Sequence, residues 1–204
     1  MVSTISGSTL EKAMKELGEV PERRMEMIEE FRTRLNSWEA NPDDPHENGL
    51  TLHRTDEDKF LLRFLRARKF DMERSVKLYV NYFKYRAKYS SMLGELSPKA
   101  AEATLKQKLL SVLPHRSREG CKILVARMGE FDFEQHPIED ILKMVMVILD
   151  RLIEEEETQV HGIVFCEDLN ELTFFKMMSL VRKEQVGKGM MFELLQVRTT
   201  PAIL

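Results

Sequence analysis

Apolar residues recur at helical spacing through the first third of the chain. Leu10, Ala13, Met14 and Leu17 make a short helical segment. Pro21 sits where a first helical turn accepts it. Behind it Met25, Ile28, Phe31, Leu35 and Trp38 form one stripe at three- and four-residue steps. NPDDPHENG (41–49), with two prolines, a glycine and several acids, reads as a loop. Thr55 is placed to cap the next helix, with Asp58 completing a capping box. Phe60, Leu61, Phe64 and Leu65 form its apolar face, and Lys59, Arg63 and Arg66 fall on another. Arg68 and Lys69 close that helix, and Asp71 caps a longer one carrying Val76, Tyr79, Val80, Phe83 and Ala87. Ser97-Pro98 marks a third helix start.

The periodicity changes after residue 112. PHRSREG has turn chemistry, and CKILVARM (121–128) has strand character. Residues 139–153 are apolar nearly all round, as in a helix buried on two sides. The acids Glu154–Glu157 read as a solvated turn, because negative charge opposes the dipole at a helix end. VHGIVFCEDL (160–169) is a second β-rich run. Strand, helix, strand in that order predicts a βαβ unit with parallel strands. Residues 172–195 return to helix-like composition, broken at GKG (187–189). The fold class is α/β, with a helical N-terminal domain over 1–95, an α/β part over 96–196 and a tail over 197–204.

Apolar residues make up 43% of the 204, enough to fill a core, so wholesale disorder is excluded. Two cysteines, Cys121 and Cys166, exclude a disulfide-dense scaffold. The formal charge of -3 conceals a gradient: residues 53–88 carry 11 basic and 5 acidic side chains inside an otherwise acidic chain. Such a segment is either a solvated helix surface or a face that concentrates an anionic partner.

The five histidines are scattered and no metal-binding spacing occurs, so no metal is expected. There is no G-x-S-x-G, Cys166 falls in a buried strand, and GKG lacks the rest of a phosphate-binding loop. No enzyme and no cofactor is expected. Nucleic acid is disfavoured because Tyr79 and Phe83 lie on the apolar helix face. The chain has 13 Met, and Met144, Met146, Met177, Met178, Met190 and Met191 concentrate in its second half. Beside a basic segment, they suit an apolar ligand near an anionic membrane.

FLLRFLRARKFDMERSVKLYVNYFKYR (60–86) resembles the helical signature of the CRAL-TRIO lipid-binding family. ELSPKA (95–100), SREGCKILVAR (117–127), EEEETQVHGIVFCEDLNELTF (155–175) and FELLQ (192–196) continue it in order. The resemblance is to the retinaldehyde-binding, tocopherol-transfer and clavesin branch. It implies a cytoplasmic protein that joins endosomal or other intracellular membranes peripherally. It implies one hydrophobic ligand of retinoid, tocopherol or phospholipid class, and phosphatidylinositol bisphosphate at the membrane. The position of Arg68 then belongs to the phosphoinositide-binding cluster, with Arg63, Arg66 and Lys69 as weaker candidates. The pocket positions carry over to Leu142, Val145 and Leu149 on the helix and to Ile163, Phe165 and Glu167 on the strand. Helical and strand geometry put each set on one face. Glu167 either bonds a ligand head or marks the strand's solvent end. After FELLQ the family continues with further strands and a gate helix, whereas this sequence reads VRTTPAIL, like a truncated or alternative C-terminus. The alternative function is therefore a non-transferring interaction fragment whose helical unit folds alone.

Overall fold

In the computed structural model, Ile5, residues 7–130 and residues 137–170 are described. The helix-like stretch 172–195, FELLQ and the 197–204 tail lie outside them. The chain begins with α1 (Gly7–Lys12), which widens into a π-helical turn over Ala13–Leu17. Gly18 ends that turn at φ 72°, a left-handed conformation that suits a residue without Cβ. A 3-10 turn at Pro21–Arg23 leads into α2 (Arg24–Asn36), followed by α3 (Asp58–Ala67) and α4 (Met72–Lys88). Two single-turn helices, α5 (Ser90–Leu93) and α6 (Glu102–Leu105), precede strands β1 (Leu110–Arg116) and β2 (Lys122–Arg127). Next come α7 (Ile138–Leu152), α8 (Glu156–His161) and β3 (Ile163–Asp168).

The chain divides into two units, with the boundary after Lys88 instead of near residue 95. The first unit contains α1 to α4 and, from far along the chain, Ile153–His161. The second contains α5 to α7 and the sheet.

The first unit closes on the predicted stripes. Ile28, Phe31 and Leu35 from α2 pack with Phe60, Leu61, Phe64 and Leu65 from α3 and with Leu78 and Tyr79 from α4. Phe31 and Tyr79, both fully buried, meet edge to face at 5.7 Å. Met14 and Met25, placed on apolar stripes by spacing, are instead about half exposed, at 49% and 48%. The α3 start also differs from expectation. Glu57 stands at the N-cap with no side-chain cap bond. Arg32 of α2 donates to the Thr55 carbonyl at 2.9 Å and pairs with Asp58, which removes Asp58 from the capping box. Asp71 does cap α4, accepting from the Arg74 amide at 3.0 Å.

The second unit holds a three-stranded sheet in the order β1-β2-β3. β2 and β3 are parallel, in register from Lys122↔Ile163 to Arg127↔Asp168, as the strand-helix-strand pattern predicts. β1 was not expected. It runs antiparallel to β2 through Pro114, and its register shifts between Val112 and Arg116. Proline removes one donor, which the outer strand of a sheet tolerates. α5 and α6 pack on α7.

Candidate functional site

The basic segment of the first unit does not present its charges as one surface. Arg66 lies on α3 and has no solvent exposure, so it is not an exposed phosphoinositide ligand. Its Nε and Nη2 donate to Glu19 at 2.8 and 2.9 Å, and its Nη1 donates to Glu156 at 3.0 Å and Gln159 at 2.8 Å. Arg24 Nε also donates to Glu19, at 2.7 Å. Two guanidinium groups and two carboxylates thus neutralise one another inside the unit. Glu156 is 9% exposed, so the acidic run is not wholly a solvated turn.

Arg63 is half-buried and stacks on rings. Its guanidinium carbon sits 3.8 Å from the Phe60 centroid and 4.8 Å from those of Phe64 and Tyr82. Arg63 thus forms a cation–π layer over three rings of the first unit. Tyr79 is core, its hydroxyl donates to the His53 carbonyl, and burial holds its phenol well above its ordinary value.

Arg68 and Lys69 occupy the turn from α3 to α4. The Phe70 amide donates to the Leu65 carbonyl at 2.8 Å, closing α3, and Lys69 and Phe70 are both left-handed, at φ 53° and 60°. Such backbone costs about 1–3 kcal/mol at each non-glycine residue. The turn sends Phe70 back against the core cluster and leaves Lys69 exposed. Arg68 is half-buried, with Nη1 donating to the Ala67 carbonyl at 3.2 Å. Burial, and then the charge of Arg74, lower its guanidinium below the ordinary arginine value. An anion at this corner relieves the repulsion between Arg68 and Arg74. Arg74 was not singled out in the sequence; its signal was its place in the first turn of the helix that Asp71 caps.

The first unit also has a cleft of about 280 Å³ between the end of α2 and one face of α4. Trp38, Val76, Val80 and Asn81 line it, and Lys84 closes it. Lys84 Nζ donates to Asp44 at 2.8 Å and to Glu47 at 3.3 Å.

In the second unit Leu142, Val145 and Leu149 are buried on one face of α7. Ile141, Met144, Met146, Val147 and Leu152 are buried as well, so α7 is enclosed on more than one side. Ile163 is 1% exposed and Phe165 is half-buried on the same face of β3. Glu167, next along that face, is exposed and marks the solvent end of the strand instead of the wall of a buried pocket. Its exposure avoids the cost of an unpaired buried carboxylate.

Among the described residues no group of three or more His, Cys, Asp or Glu side chains is placed to hold a metal ion, and no helix is long and apolar enough to cross a membrane.

A helical unit and a small mixed sheet, whose parallel strands are joined through an apolar helix, make this a two-part α/β protein. Comparison with known proteins makes it specific. The family model described as CRAL/TRIO, N-terminal domain matches residues 27–81, and that described as CRAL/TRIO domain matches residues 106–192. The chain belongs to the CRAL/TRIO family. Human alpha-tocopherol transfer protein-like is 33% identical over 175 residues, covering 86% of this chain and 48% of the relative. Rat clavesin-2 is 35% identical over 174 residues, covering 83% and 50%. Clavesin-1 of Xenopus laevis is 32% identical over 174 residues, covering 83% and 49%. The chain spans about half the length of these curated relatives.

Proposed function

We propose that this protein binds a hydrophobic lipid in its second unit and meets phosphatidylinositol bisphosphate with the Arg68 corner of its first. The observation that carries the reading is α7, a crossover helix between parallel strands whose Leu142, Val145 and Leu149 share a face with apolar neighbours on either side. Family membership and the name of the tocopherol-transfer-like relative support a ligand of tocopherol, retinoid or phospholipid class. Transfer between cytoplasmic faces of intracellular membranes extends the same reading. In the membrane-facing part, Arg68 acts with Lys69 and Arg74, while Arg63 and Arg66 serve the interior. Mass spectrometry of lipid extracted from the purified chain tests the first part: one stoichiometric apolar species supports it, and a lipid-free folded chain refutes it. Flotation with phosphatidylinositol bisphosphate vesicles tests the second, with salt-sensitive binding expected that weakens in Arg68→Ala.

The self-contained apolar core of the first unit favours a second reading, an interaction module that binds partners without moving lipid. On that reading a protease-resistant core needs residues 153–161 as well as the first 88, because Arg66 draws two of its partners from there.

A further inference from the structure

The segment Ile153–His161 leaves α7 and rejoins the sheet at β3, yet packs within the first unit. Three sorts of contact seat it there. Glu156 and Gln159 accept from Arg66. Val160, fully buried, packs with Ala13 and Leu17. Thr9 Oγ1 lies 3.1 Å from His161 Nε2. The apolar contact alone permits sliding, whereas a guanidinium fork shared between Glu19 and Glu156 fixes direction and depth.

The connections at both ends are short. Only Ile153–Glu155 separates α7 from α8, and only Gly162 separates α8 from β3. Gly162 is buried at φ 87°, and its carbonyl accepts from the Lys122 amide at 3.2 Å, the first bond of the β2–β3 ladder. One residue spans at most about 3.6 Å, so a shift of α8 by a single helical turn cannot be absorbed before Ile163.

We propose that Arg66 is a positioning residue for the lipid wall: by clasping Glu156 and Gln159 it sets α8, and through α8 the last turn of α7 and the start of β3. This rests on the reading of α7 and β3 as that wall. It gives the most buried cation of the basic segment a role distinct from the Arg68 corner.

Hydrogen exchange on the full chain, followed by mass spectrometry, tests it. Glu156→Gln keeps the shape of the side chain and removes its charge. Exchange is expected to rise at least about tenfold over residues 150–165, including Ile163 and Val164, with a much smaller change across α4. A rise confined to α8 overturns the proposal. If Glu156→Gln loosens the whole first unit, Gln159→Met decides in the same way, since it leaves the buried charges balanced and removes one acceptor from Arg66. Arg68→Ala is expected to leave this exchange pattern unchanged and to weaken vesicle binding; the same rise at Ile163 in Arg68→Ala also overturns the proposal. Lipid-free parent protein refutes the binding reading separately, because the exchange experiment needs no lipid.

Discussion

Replacing Arg66 by Met keeps most of the side-chain volume and deletes the guanidinium from the centre of the first unit. With it go at least four hydrogen bonds, two to Glu19 and one each to Glu156 and Gln159. Glu19, whose side chain is 0% exposed, then keeps Arg24 but loses both bonds from Arg66, and Glu156 loses the bond from Arg66. Removing one partner from a buried ion cluster costs about 3–5 kcal/mol, because the charge left behind keeps its desolvation penalty and loses its compensation. That is a large share of the roughly 5–15 kcal/mol by which a domain is stable. Urea unfolding, read by tryptophan fluorescence, reports on this unit, because the only tryptophan is Trp38, just beyond α2. Urea carries no charge and leaves the ion pairs unscreened. With a slope of about 1–3 kcal/mol per molar, the midpoint is expected to fall by at least about 1 M. A fall of under about 0.3 M refutes the argument, since the network then contributes no more than an exposed pair.

Arg68→Met is expected to change stability by less than about 0.5 kcal/mol in the same assay, since it removes a cation already disfavoured by burial and by Arg74. Tyr79→Phe loses the bond to the His53 carbonyl and is expected to cost about 1 kcal/mol by thermal or urea unfolding. Gly18→Ala meets no atom within 4 Å but forces a side chain to φ 72°, so a loss of about 1 kcal/mol is expected from backbone conformation alone. The Asp44 carboxyl is held below its ordinary value, first by the hydrogen bond from Lys84 and then by the His46 amide. Its contribution is full above the unfolded aspartate pKa and disappears as pH falls through the lower folded value, so acid titration of Trp38 emission is expected to show a transition there that Lys84→Met moves to higher pH, the His46 amide bond remaining.

Periodicity located α7, β2 and β3 because their apolar runs are continuous and bounded by turn residues. It located α2 through Ile28, Phe31 and Leu35 because those positions share one helical face. β1 was hidden by Pro114, His115 and Arg116, which are turn residues by composition and strand residues only through pairing with β2. Arg66 was illegible for a different reason. Its neighbours Arg63, Arg68 and Lys69 are basic, and local charge then reads as surface. Its acceptors lie 47, 90 and 93 positions away, beyond the reach of any helical period. Of the proposed wall residues, the family resemblance supplied Leu142, Val145, Leu149 and Ile163, and the apolar runs that hold them account for their burial. The pattern could not decide Glu167, whose face is set by alternation but whose exposure depends on where the sheet ends.

The return of residues 153–161 to the first unit bears on how the chain is made. Synthesis at roughly 5–20 residues per second puts about 4–15 s between the emergence of Lys88 and that of His161. Throughout that interval Arg66 has Glu19 but neither Glu156 nor Gln159, and the site for Val160 stays open beside Ala13 and Leu17. The helical part that leads the sequence is therefore finished only after α7 has been synthesised, and the N-terminal region is the one that a chaperone has most time to meet unfinished.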